Sequence, residues 1–149
     1  PAYYALLGAA MAVTGTDDAV FSLRFNPAFG AADQASRHLK YRHGDGRGEG
    51  LLRWLRCLSA LLGVVTLVCV HRLGRAVCPG RPRIADLAVL LVACLPMYSF
   101  LHGVLNNDVL ATAVSAATVL TLVRVLQAPT LRLGLGLRLG ALLGLALLT

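Results

Sequence analysis

From Leu51 onward the chain alternates between long apolar runs and short polar breaks. "LLRWLRCLSALLGVVTLVCVHRLGRAV" begins the first run, and its uncharged centre from Cys57 to Val70 is extended by Arg53 and Arg56 on one side and His71, Arg72 and Arg75 on the other. Long basic side chains can reach from such helix ends to the membrane surface. The pattern predicts a membrane-spanning helix over 51–76. "CPGRPR" breaks it, with Pro79, Gly80 and Pro82 as punctuation. Further spans are predicted over 84–104, with a kink at Pro96, over 107–126, and over 133–149, where Gly and Leu alternate in a composition that permits close helix packing. The apolar segment 1–13 is too short for a span of about 20 residues. With Tyr3 and Tyr4 at its start, it reads as a helix lying at the membrane interface.

Residues 14–50 form the one polar stretch. Gly, Pro, Asn and Asp mark it as loop, and "DQASRHLKYR" within it suits a short surface helix. Asp33, His38, His43 and Asp45 follow no metal-ligand spacing, so they read as solvated loop residues. The expected architecture is therefore all-α: a polytopic transmembrane helix bundle of about four spans, with a juxtamembrane helix and a loop.

Composition agrees. Of 149 residues, 57% are hydrophobic and 14% charged, against about 25% charged in a soluble domain, and the mean hydropathy is +0.71. The net charge of +7 comes from Arg residues beside apolar runs. With no basic helix interleaved with aromatics, nucleic acid is excluded as a partner; the lipid bilayer is the partner that the pattern demands. The turn around 71–83 carries Arg72, Arg75, Arg81 and Arg83, and the turn around 124–132 carries Arg124 and Arg132, whereas the 102–108 turn has no Lys or Arg. The positive-inside rule puts the first two in the cytoplasm and the third outside. Residues 14–50 then also lie outside a multi-pass cell-membrane protein. Cys57, Cys69, Cys78 and Cys94 form no C-x-x-C pair and read as free thiols. The chain starts at Pro1 and stops inside an apolar run, so we expect a fragment of a larger protein.

The outer face gathers the candidate chemistry. In "FLHGVLNNDVLATA", His102, Asn106, Asn107 and Asp108 interrupt the apolar pattern. Helix capping explains one such residue, not the whole set. An acid at the membrane edge can orient a hydroxyl or bind a divalent metal ion, and His102 can donate to a phosphate or sugar. Arg53 and Arg56, three apart on one helix face, can clamp phosphate oxygens, although interfacial anchoring explains them too. Trp54 is an interface anchor. Asp86, beside Arg83 at a span's start, reads as helix-end charge compensation.

Five stretches resemble, in order, elements of bacterial membrane glycosyltransferases of the GT-C fold. "PAYYALLGA" is similar to a "PPLYYLL" element. "LRFNPAFG" resembles an "R-NP" loop. "LLRWLRCLSALLGVVTLVCVHRLGRAVCPGRP" resembles an "LLRLLSALLG…RRLFPGRP" helix. "LVACLPMYSFLHGVLNNDVLATA" resembles a "P-M-F-F-…-VNND-LA" hairpin, and "LGALLGLALLT" an "LGLLLGLALLTK" helix. The family includes the protein O-mannosyltransferases and the lipid A aminoarabinose transferase. The resemblance implies transfer of a sugar from a polyprenyl-phosphate carrier to a hydroxyl of a protein, glycan or lipid acceptor outside the membrane. It implies a main catalytic Asp before the "PPLYY" element, hence upstream of Pro1, and a second acid that Asp108 matches. Asn107 would share Asp108's role in orienting acceptor or metal. His102, Asn106, Arg53 and Arg56 would bind substrate, the two Arg at the leaving phosphate. Only one Pro of "PPLYY" is present, and with the main acid upstream of Pro1 the fragment alone is expected to be inactive. The other readings are a transporter or flippase-like protein, which would place polar groups at mid-membrane in paired broken helices, and a membrane scaffold without chemistry.

Overall fold

The computed structural model describes residues 2–14, 23–25, 39–41, 46–130 and 133–149. In order these form α1 (Ala2–Thr14), β1 (Leu23–Phe25), β2 (Leu39–Tyr41), α2 (Gly46–Val77), α3 (Pro82–Ala93), α4 (Pro96–Gly103), α5 (Asp108–Gln127) and α6 (Leu133–Leu147). The expected all-α membrane bundle is what the chain forms, apart from one short ribbon. β1 and β2 pair antiparallel, Arg24 opposite Lys40. Leu39–Tyr41 is therefore strand and not part of a surface helix. Both triplets read apolar–basic–apolar, the two-residue period of a strand. The remainder of that expected helix, and Asp33, His38, His43 and Asp45, lie outside the described residues.

α2 is the central element, packed against α3, α4 and α5. Its 32 residues extend about 48 Å, more than a hydrocarbon core of about 30 Å. It begins at Gly46, ahead of the expected start at Leu51, because a helix once nucleated propagates at little cost. Two helical segments, Arg53–Val77 and Asp108–Gln127, are each long and apolar enough to cross a membrane. The expected 84–104 span is broken, not merely kinked: α3 and α4 meet at 65°. Pro96 supplies no N–H and disfavours helix at the residue before it. Leu95 is accordingly extended (φ −69°, ψ 118°), and Pro96 opens α4. α6 has 15 residues, fewer than the expected fourth span.

Small residues set the approach of α2 and α3. A Cβ at Gly74 would stand 2.8 Å from Ala85 Cα, and Ala85 is fully buried. The turn between them closes through Arg81 N–H to Cys78 O at 3.1 Å, with Pro79 and Gly80 in its middle positions. Gln127 Nε2 donates to Ala76 O at 2.9 Å, tying the end of α5 to that of α2.

At the opposite end, Tyr3, Leu110 and Val114 form a buried cluster with Leu7 and Leu62 against it. Tyr3 is 1% exposed and Tyr4 65%. Tyr3 is thus a core residue and not an interfacial anchor, because α1 lies on α2. Most large apolar side chains face outward, among them Leu61, Val64, Leu91 and Phe100, and α6 buries none of its residues. Lipid is the solvent that suits such a surface. The four cysteines are free thiols, as expected.

Candidate active site

The polar turn between α4 and α5 is built around Asn106. Its Nδ2 donates to Asp108 Oδ2 at 2.9 Å, and its Oδ1 accepts the Asp108 N–H at 3.3 Å. Main-chain carbonyls of Asn106 and Asn107 accept the N–H groups of Val109 and Leu110 at 3.3 and 3.1 Å. Asn107 occupies the cap position of α5 but makes no side-chain cap bond. Its Nδ2 donates instead to Thr149 O at 2.6 Å, joining the start of α5 to the end of α6, while its Oδ1 is buried without a partner. The carboxylate of Asp108 is left exposed.

Asp108 borders a groove of about 650 Å³ between α2, α5 and the bent α3–α4 pair. Along α5 the lining runs Asp108, Thr112, Ser115 and Val119, about 16 Å of helix. α2 runs parallel to α5 and contributes Thr66, Val70 and Leu73; Tyr98 and Val92 complete the wall. The groove is therefore polar near Asp108 and apolar beyond Ser115. Thr112 Oγ1 and Thr66 Oγ1 donate to helix carbonyls of Asp108 and Leu62 at 2.7 and 3.1 Å, which lowers the cost of placing hydroxyls there. Thr112 and Ser115 lie four and seven residues after Asp108, so helical spacing alone puts them on its stripe. Tyr98 and Thr66 carry no such signal.

The other expected site residues are dispersed. His102 is 6% exposed. Its Nδ1 donates to Tyr98 O at 2.8 Å, and its Nε2 is buried without a partner, so the ring packs against α2 and does not line the groove. Arg53 and Arg56 are exposed on the early turns of α2, and among the described residues no ion pair joins them to Asp108. Asp86 is beyond the first turn of α3 and pairs with His71 Nε2 at 3.2 Å. It bridges α2 and α3 at the Arg-rich end instead of compensating a helix terminus. Among the described residues no three His, Cys, Asp or Glu gather to hold a metal.

No curated protein and no solved structure gives a significant match to the chain. A family model does: that of the dolichyl-phosphate-mannose-protein mannosyltransferases, over residues 50–149, which takes in α3 to α6 and nearly all of α2. That span includes every residue of the groove and the turn above it, and on it the chain belongs to the dolichyl-phosphate-mannose-protein mannosyltransferase family, membrane glycosyltransferases of the mannosyltransferase type.

Proposed function

We propose that this chain is part of a glycosyltransferase that moves a sugar from a polyprenyl-phosphate carrier to a hydroxyl of an extracytoplasmic protein, glycan or lipid. The observation that carries this reading is the graded groove, with one exposed carboxylate at its polar end and apolar walls beyond. A carrier with a long apolar tail and a charged sugar-phosphate head has the same grading. The bond between the sugar C1 and the phosphate oxygen breaks as the acceptor oxygen attacks, and the phosphate leaves on the carrier. The proton passes to a base that the family resemblance places outside this chain.

Asp108 orients the acceptor hydroxyl, held by Asn106. Asn107 fixes the turn from behind. Arg53 and Arg56 offset charge on the leaving phosphate after their flexible side chains swing toward it. Among the described residues a divalent ion at Asp108 would find one carboxylate and would take its other ligands from water and phosphate, the habit of Mg²⁺. The turn without basic residues faces outward and the Arg-rich turns inward.

Asp108→Asn in the full-length protein, assayed for sugar transfer from a labelled polyprenyl-phosphate sugar in membrane vesicles, tests the reading. Turnover is expected to drop on the order of a hundredfold. Wild-type turnover would remove Asp108 from the reaction.

A further inference from the structure

Gly63 lies midway along α2, and His102 near the end of α4. A Cβ at Gly63 would stand 2.7 Å from His102 Cδ2 and 3.0 Å from Cγ. The imidazole can seat on α2 only because no side chain is there. The Tyr98 ring stands 4.1 Å from the imidazole, centroid to centroid, and leaves it little room to turn. The Tyr98 hydroxyl donates to the Gly63 carbonyl at 2.6 Å. One glycine thus receives both side chains, one on its bare Cα and one on its oxygen.

Glycine weakens a helix relative to alanine, so its presence in a span calls for a reason. Loose small-residue composition is not that reason at this position. Gly134, Gly136, Gly140 and Gly144 of α6 have open space where a Cβ would go. Gly74 meets the backbone of Ala85, which is helix packing. Of Gly63, Gly74 and these four, Gly63 alone meets the ring of another residue.

The position of this contact matters for the groove. Tyr98 lines it. α4 ends at Gly103 and α5 starts at Asp108, so only the short link 104–107 separates the seated ring from the exposed carboxylate. A shift of α4 on α2 passes directly to that link. We propose that Gly63 is a positioning residue: with Tyr98 and His102 it forms a latch that sets the Asn106–Asp108 turn over the groove. The effect on transfer rests on the function proposed above; the geometric effect does not.

The test uses the full-length protein in lipid nanodiscs, with Cys57, Cys69, Cys78 and Cys94 replaced by Ser and spin labels at Trp54→Cys and Gly103→Cys. Gly63→Ala is expected to shift or broaden the label-to-label distance. Adding His102→Ala, which removes the obstructing ring, is expected to give the distance of His102→Ala alone, with no further effect of Gly63→Ala. In the unlabelled protein, Gly63→Ala is expected to lower kcat on the order of ten- to a hundredfold. The double variant is expected to match His102→Ala alone, since substitutions acting through one contact do not add. Gly140→Ala makes the same exchange in open space and leaves distance and kcat unchanged. An unaltered distance in Gly63→Ala, or losses that simply multiply in the double variant, would overturn the latch. The distance needs no turnover, so a protein without transferase activity sinks the glycosyl-transfer reading and leaves the latch to be judged by its geometry.

Discussion

Tyr3 and Ser59, one in the first turn of α1 and one inside the first long span, meet through buried hydroxyls 3.2 Å apart. Ser59 Oγ also donates to Leu55 O at 3.3 Å. Removing the phenolic oxygen therefore leaves Ser59 satisfied, whereas removing the ring empties a core position.

Tyr3→Phe is expected to cost about 1 kcal/mol and Tyr3→Ala about 3 kcal/mol or more. Thermal unfolding in detergent measures both. In Tyr3→Ala, amide exchange across Ala2–Thr14 is expected to rise well above exchange in α5, because the ring is the buried anchor of α1. Equal exchange in the two helices would show that α1 is held some other way.

Asn106→Asp replaces the amide that holds Asp108 with a second acid. At neutral pH two carboxylates about one hydrogen bond apart repel, and the turn is expected to open with loss of sugar transfer. At lower pH they can share one proton, which restores a donor between them. Transfer by this variant is therefore expected to recover partly as pH falls from 8 towards 5.5, while Asn106→Ala stays low throughout. A pH profile of both variants decides it.

Gly74→Ala is expected to cost about 1–3 kcal/mol, because the new methyl meets the Ala85 backbone and one helix must move. Gly140→Ala, with open space around it, is expected to be neutral or slightly stabilising. Melting temperatures of the two variants make the comparison.

The proposed orientation has a chemical readout. With the other cysteines replaced by Ser, Cys78 is expected to react with a membrane-impermeant maleimide only after the cytoplasmic face is opened. A cysteine introduced at Gly103 should react in intact cells. The reverse pattern would invert the orientation.

The turn that carries Asp108 was legible in the sequence because it interrupts an apolar pattern, and a bend at Pro96 because proline restricts its own φ and the residue before it, though the sequence reads it as a kink in one span and the fold breaks the helix there. Other features depend on residues remote in sequence. Nothing in "SALLGVV" says that Gly63 receives an imidazole from α4, so His102 reads as a free donor until the fold buries it. Tyr3 reads as an interfacial ring until α2 covers it. Asp86 reads as a helix-end charge beside Arg83 until His71 comes within 3.2 Å. The polar stripe of the groove was half legible: Thr112 and Ser115 follow Asp108 at helical spacing, but Thr66 and Tyr98 join only in three dimensions.

Asn107 donates to Thr149 O, and Ala2 N–H to Leu148 O at 2.9 Å. Both carbonyls belong to residues synthesised after everything they hold. A ribosome delivering this chain in order releases α1 and the Asp108 turn first, without their acceptors. The bonds that hold Asn107 and the first turn of α1 can therefore form only after the last turn of α6 has been made.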